Sequence, residues 1–278
     1  MNNITKIHAL YGLKWNPFSS AVPSEAFVTD EPTKRFFWRV EQVILEGGFA
    51  LVTGDVGTGK SVTLRLLSEH LKNLPELTVR IITRPQSGLR DFYRELSELF
   101  EVPISQSNRF GSFSNLRAQW KSHIKASLFR PVLLIDEAQE ANSEVLNELR
   151  LLSSVDLDSK NILAVVLAGD NRFPEKLRQT PLLPLESRIF VRYHLDKRPQ
   201  SELIQILTEM IKQAGSPELM TLMLIKSLAE HAMGNLRTMM MMATELLSIA
   251  SEKEIRQLDE NLFFEVYRNA INKKRAGK

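Results

Sequence analysis

Eight residues do most to constrain the fold of this chain: Gly54-Asp55-Val56-Gly57-Thr58-Gly59-Lys60-Ser61. They satisfy G-x-x-x-x-G-K-[S/T] at every fixed position. An apolar run, Phe49–Thr53, precedes them, and a helical pattern, Val62–Leu71, follows. A buried strand, a glycine-rich turn and a helix in that order define a phosphate-binding loop. Glycines let backbone N–H groups turn inward and approach an anion with no Cβ in the way. The helix that follows points its positive N-terminal end at the same place. Lys60 is expected to reach the β- and γ-phosphates of ATP, and the Ser61 hydroxyl to ligate Mg²⁺. The expected nucleotide contacts are Gly54, Asp55, Val56, Gly57, Thr58, Gly59, Lys60, Ser61 and Val62.

The rest of the pattern agrees with a parallel sheet covered by helices. Further short apolar runs occur at Leu77–Thr83, Val132–Asp136, Ile162–Ala168 and Ile189–Tyr193. Helical spacing fills the gaps at Leu89–Leu99, Leu116–Leu128 and Val145–Ser153. Beyond about Arg198 only helical spacing remains, as in Leu203, Ile204, Leu207 and Ile211, and again in Leu222, Ile225 and Leu228. The expected organisation is an α/β nucleotide-binding domain over 1–197, whose first 30 residues form an aromatic lead-in. A small α-helical lid over 198–272 and a basic tail over 273–278 follow. A length of 278 residues with 43% hydrophobic side chains supports that plan. There is no cysteine, which excludes disulfides, thiolate metal sites and thiol nucleophiles. No leader pattern opens the chain, and no apolar run approaches the roughly 20 residues a bilayer span needs. A soluble cytoplasmic protein with no membrane partner is expected.

Val132-Leu133-Leu134-Ile135-Asp136-Glu137 is an apolar strand that ends in two carboxylates. Downstream of a phosphate loop this has the form of a Walker B motif. Asp136 would hold the Mg²⁺ shell. Glu137 would polarise an attacking water, since hydrolysis needs a base beyond the γ-phosphate.

Together these motifs resemble the ExeA-type branch of the AAA+ ATPases, and through it the transposition ATPases TnsC, TniB, MuB and IstB. The resemblance runs from about Tyr11 to Tyr267. It is carried by Tyr11-Gly12-Leu13-Lys14-Trp15-Asn16-Pro17-Phe18, by the glycine loop and by Ile135-Asp136-Glu137-Ala138-Gln139. Leu149-Arg150-Leu151-Leu152-Ser153, Leu185-Glu186-Ser187-Arg188-Ile189 and Gly234-Asn235-Leu236-Arg237 extend it. The resemblance implies an AAA+ P-loop fold and ATP hydrolysis with Mg²⁺. It implies that Phe18, with its aromatic neighbours, lies at the adenine, and that Arg237 contacts phosphate in cis. It also implies that Arg188 acts as an arginine finger on a neighbouring subunit, with Arg178 and Arg192 as nearby competitors. One position departs from the pattern. The strand Ile162–Ala168 leads into Gly169-Asp170-Asn171-Arg172, which puts Asp170 where an uncharged sensor residue is usual. A carboxylate there would repel the γ-phosphate unless it joined Mg²⁺ or paired with a cation. Either Asn171 serves instead, or hydrolysis is slow and regulated.

Charge says less about the partner. The net charge of +3 permits nucleic-acid binding without demanding it. Arg117, Lys121 and Lys125 recur every four residues and so form one stripe along a helix, beside the apolar stripe Leu116, Trp120, Ile124 and Leu128. In the transposition relatives the region between the Walker motifs tracks DNA. The resemblance therefore implies backbone contacts to duplex DNA by some of Arg84, Arg109, Arg117, Lys121 and Lys125. It further implies a homo-oligomer, ring or filament, with a transposase and a target-selecting protein as partners. Two alternatives stay open: a secretion-associated ATPase of the ExeA type, and a nucleotide switch that does not hydrolyse. The run Met239-Met240-Met241-Met242 cannot place all four side chains on one helix face, and is read as packing.

Overall fold

A computed structural model describes residues 3–19, 22–23, 26–27, 29–103, 109–127, 130–155 and 160–267. The chain divides into two compact units. One spans 30–196; the other joins residues 1–29 to residues 197–278.

The elements follow in chain order. Helix α1 is Asn3–Tyr11 and α2 is Glu31–Glu46, followed by strand β1 (Gly48–Gly54), α3 (Lys60–Lys72) and β2 (Leu77–Ile82). Next come α4 (Leu89–Phe100), α5 (Arg109–Ser127), β3 (Arg130–Ile135) and α6 (Ser143–Ser153). Short strands β4 (Ser154–Val155) and β5 (Lys160–Asn161) precede β6 (Ala164–Gly169), α7 (Arg172–Leu177), α8 (Leu183–Glu186) and β7 (Ile189–Leu195). Helices α9 (Gln200–Gln213), α10 (Leu222–His231) and α11 (Leu236–Glu252) complete the labelled set.

In the unit 30–196, five strands form one sheet in the order β2-β3-β6-β1-β7, and every pairing is parallel. Parallel strands need crossover helices, and these cover both faces of the sheet. That double cover explains why β1 and β6 read as unbroken apolar runs: every residue of Gly48–Gly54 and of Ala164–Gly169 is buried. Alternation then divides their side chains between two cores. Phe49, Leu51, Leu133, Ile135, Val165 and Leu167 pack with Leu96, Trp120 and Leu149 on one face. Ala50, Val52, Val132, Leu134, Val166 and Ala168 pack with Phe36, Val40, Leu64 and Leu67 on the other. Helix α2 starts where Asp30 accepts the Thr33 N–H at 2.9 Å, with Pro32 in its first turn.

The five expected strands are all present, with ends displaced by one or two residues. The last turn of the expected Leu116–Leu128 helix falls partly outside the described residues, as do Leu128 and the tail Lys273–Lys278. The small antiparallel pair β4–β5 was not expected: two residues per strand are too few to carry an alternation signal.

The second unit is built differently from the expected boundary at 197. Residues 1–29 belong with the helices after 196 and not with the sheet. The reason is in the core of that unit. Tyr11, Leu13 and Phe18 are buried with Leu207, Leu228 and Leu246, and the Tyr11 hydroxyl donates to the Ile255 carbonyl at 2.8 Å. The methionine run splits as helical geometry requires: Met239 is fully buried in this core and Met241 is exposed.

Candidate functional site

The sheet order brings three strand ends together. Strand β6 lies between β3 and β1, with Thr53 opposite Gly169 and Ile135 opposite Leu167. The glycine loop after β1, the Asp136-Glu137 pair after β3 and the Asp170-Asn171 pair after β6 therefore leave adjacent strands at one edge of the sheet. Residues more than 100 positions apart in sequence become neighbours through topology alone. In open α/β sheets this carboxyl edge is where ligands bind.

The loop has the shape its glycines allow. Gly57 and Gly59 take φ of +85° and +112°, a region that favours glycine. Gly59 caps α3, so the first N–H groups of that helix open onto the loop. The Thr58 hydroxyl braces the turn by donating to the Asp55 carbonyl at 2.9 Å. Lys60 is 6% exposed, and among the described residues its ammonium donates to the Gly54 and Asp55 carbonyls, each at 3.0 Å. A buried cation held by neutral carbonyls is poorly compensated. The site thus fits a phosphate group, and Lys60 with the loop N–H groups would hold it. Ser61 is exposed at the start of α3, Asp136 is half-buried at the end of β3, and Val62 is half-buried. No cluster of three metal-ligating side chains exists among the described residues. A Mg²⁺ ion does not need one, since it is commonly bound by one or two protein ligands plus phosphate and water.

Glu137 is exposed and adopts φ +51°, a costly conformation for a residue with a Cβ. Two contacts hold it there. Its N–H donates to Asp136 Oδ1 at 2.9 Å, and its Oε2 accepts from Gln139 Nε2 at 2.5 Å.

The departure at Asp170 is resolved by Arg172. The Asp170 carboxylate accepts from the Arg172 backbone N–H at 2.9 Å and from Nε at 2.8 Å, and lies 2.6 Å from the second guanidinium nitrogen. The hydrogen bond from Arg172 holds the Asp170 carboxyl below the usual carboxylate range despite partial burial, with Lys60 adding a smaller push in the same direction. Arg172 also pairs with Glu140 at 3.1 Å. Asp170 is therefore committed to a cation and does not present a bare charge. Asn171 points the other way: its amide donates to Asp55 Oδ1 in the glycine loop, at 2.5 Å. Of the two residues left open by the sequence, Asn171 is the one whose side chain reaches the phosphate loop.

Other expected residues are placed less centrally. Arg188 precedes β7 and donates to the Ser154 hydroxyl of its own chain. Of its competitors, Arg192 is paired with Glu186 at 2.8 Å, and Arg178 is exposed. Phe18 and Arg237 belong to the helical unit. Phe18 is a core residue there. Arg237 is exposed in the first turn of α11, behind Gly234, at φ +83°, and the Asn235 cap, which accepts the Thr238 N–H at 3.1 Å. Of the basic stripe, Lys121 and Lys125 are exposed on α5, and Arg84 is exposed after β2. Arg117 is drawn inward: its guanidinium donates to the Ser154 carbonyl and sits 4.8 Å from the centre of the Phe113 ring. Arg109 opens α5, and its side chain lies outside the described residues.

Comparison with known proteins bears on the fold. The family model described as "AAA domain" matches residues 44–177. The fold is the AAA+ P-loop fold. The Aeropyrum pernix ORC2 protein in its ADP form superposes with a TM-score of 0.71 at 16% identity, over 88% of this chain and 70% of that one. The A. pernix ORC1 protein, solved in complex with DNA, gives 0.66 at 15% identity, over 91% and 68%. In sequence, the chain is 37% identical over 152 residues to General secretion pathway protein A of Aeromonas hydrophila. That match covers 54% of this chain and 27% of the relative, so the chain spans about a quarter of that protein's length.

Three residues around these strand ends had no role assigned from sequence: Gln139, Arg172 and Lys176. Gln139 and Arg172 stand inside motifs, beside the residues that drew attention, which is the one signal they carried.

Proposed function

We propose that this chain is an ATP-hydrolysing AAA+ protein that binds the backbone of duplex DNA as a nucleotide-dependent oligomer and regulates DNA transposition. The observation that supports hydrolysis most directly is the convergence of buried Lys60, exposed Glu137 and Asn171 on one edge of the sheet. ATP would supply the scissile phosphoanhydride, and Mg²⁺ would offset the charge on its phosphates. Lys60 and the loop N–H groups would bind the phosphates, Ser61 and Asp136 would hold Mg²⁺, and Asn171 would exchange Asp55 for the terminal phosphate. Glu137 accepts the proton of the attacking water, which joins phosphorus as the bond to the leaving oxygen breaks. Arg188 leaves Ser154 and completes the site of the next subunit, so nucleotide and assembly are linked.

DNA contact is supported by exposed Lys121, Lys125 and Arg84, and by the DNA complex of a structural neighbour. The transposition reading rests on the motif resemblance. A second reading is favoured by the 37% identity to General secretion pathway protein A: an ATPase directed at secretion machinery.

Binding to a random-sequence duplex, measured with ATP, ADP and no nucleotide across a salt series, separates the two. ATP-dependent binding whose log–log salt slope falls by about one on Lys121→Ala or Lys125→Ala supports the DNA reading. Arg117→Ala is expected to cost stability instead, because its guanidinium is held by Ser154 and Phe113. Absence of DNA binding in every nucleotide state, with ATP still bound, refutes the DNA reading and leaves the secretion one.

A further inference from the structure

A general base is useful only while its carboxylate stands at a fixed place relative to the water it activates. Glu137 is exposed and has a flexible side chain, so something else must fix it. Gln139 is built to do so. It is only 9% exposed, and both ends of its amide are used within the site. Nε2 donates to Glu137 Oε2 at 2.5 Å, and Oε1 accepts the Asp170 N–H at 3.1 Å. Its backbone is clamped as well: the Lys176 ammonium donates to the Gln139 carbonyl at 2.9 Å and to the Ala141 carbonyl at 2.5 Å. Burial holds the Lys176 amine below its usual range, the mark of a cation drawn in to make these bonds.

These contacts join into a chain. Asp55 in the phosphate loop accepts from Asn171. Asn171 follows Asp170 at the tip of β6, the Asp170 N–H donates to Gln139, and Gln139 donates to Glu137. We propose that Gln139 is a positioning residue: it orients the Glu137 carboxylate and makes that orientation depend on the position of the β6 tip. Occupancy of the phosphate loop, felt by Asn171, is then felt at the base. The residue type follows from the geometry. A carboxylate at 139 accepts the Asp170 N–H but has no proton to donate, and it repels Glu137. An asparagine is one methylene too short to span both partners. This inference rests on the reading of Glu137 as the base of ATP hydrolysis.

The test uses the full chain, single-turnover ATP hydrolysis and binding of a fluorescent ATP analogue, on Gln139→Ala, Gln139→Glu, Glu137→Gln and the double variant Glu137→Gln/Gln139→Ala. Gln139→Ala is expected to lower the hydrolysis rate about 10- to 100-fold, the range for a displaced catalytic group, with nucleotide affinity unchanged. Gln139→Glu keeps the side-chain length and the acceptor for Asp170, and is expected to lose rate to a similar extent, with a thermal melt of each variant showing that it is folded. In the Glu137→Gln background, removing Gln139 is expected to cost nothing further, because it acts through the group already lost. A wild-type rate in both Gln139 variants overturns the inference. So does a rate loss that adds fully to that of Glu137→Gln, which would make Gln139 a packing residue. Failure of the underlying reading is seen separately: Glu137→Gln alone would then hydrolyse at the wild-type rate.

Discussion

Placing a single methyl group at Gly169 probes the site from its least visible side. Gly169 ends β6, and a Cβ built there stands 2.9 Å from Phe173 Cβ, 3.0 Å from Phe173 Cδ1 and 3.0 Å from Gln139 Oε1. All three approaches are closer than carbon normally tolerates, so neighbours must move by a few tenths of an ångström. Phe173 is fully buried in the core under α7 and has nowhere to retreat. Overpacking of this kind costs about 1–3 kcal/mol. In a protein of this size each kcal/mol lowers Tm by about 2–4 °C, so Gly169→Ala is expected to melt about 2–12 °C below the wild type. The second consequence is chemical. The methyl pushes on the oxygen that accepts the Asp170 N–H, and Gln139 carries the push to Glu137. Hydrolysis per folded molecule should fall about tenfold, more than nucleotide affinity does. Thermal melts and phosphate release, each with saturating ATP, read the two effects in one preparation. Unchanged Tm and unchanged rate would refute the packing argument. A lowered Tm with a wild-type rate at a temperature where the variant is folded would refute the mechanical link through Gln139.

Two further outcomes follow from the same contacts. Mixing Arg188→Ala with Glu137→Gln in equal amounts should restore about a quarter of wild-type turnover, since half the intact pockets meet half the intact neighbours across a heterologous interface; no recovery in a mixture shown to co-assemble would mean that Arg188 stays in cis on Ser154. Asp170 has a folded pKa below its ordinary 3.8, so its pairing with Arg172 adds stability above that pH, and the gain disappears as pH falls through the lower folded value. The wild type should therefore outlast Asp170→Asn in denaturant at pH 7, with the gap closing below about pH 4; a gap independent of pH would show that the charge contributes nothing.

The parts of this site that are legible in sequence are those fixed by local chemistry. Gly57, Gly59 and Lys60 are required wherever a backbone turns inward on an anion, so spacing alone reveals them. Asp136 and Glu137 show because an apolar strand that ends in two acids is conspicuous. The five strands show because double-sided burial removes polar residues from β1 and β6. What stays hidden depends on pairing across the fold. Nothing local tells that Lys176 clamps Gln139 or that Arg117 turns toward Ser154. Burial is equally non-local. Tyr11, Leu13 and Phe18 look like a preface to the nearest strand, yet their core partners lie after residue 200.

The Asp170 position shows why a motif mismatch is weak ground for predicting a dead enzyme. Read alone, an acid at a sensor position adds negative charge where phosphate must bind. Read with its neighbours, it accepts three contacts from Arg172 and turns Asn171 toward Asp55. A carboxylate bonded to the guanidinium of Arg172 two residues away is partly offset, and its electrostatic reach is shorter than that of a bare charge. On the proposed reading the sensor function is shifted by one residue, and the acid holds the turn that makes the shift possible. If that is so, Asp170→Asn should disturb the turn without improving hydrolysis, whereas a bare repulsive charge would be relieved by the same substitution. Faster turnover in Asp170→Asn would therefore count against the one-residue shift.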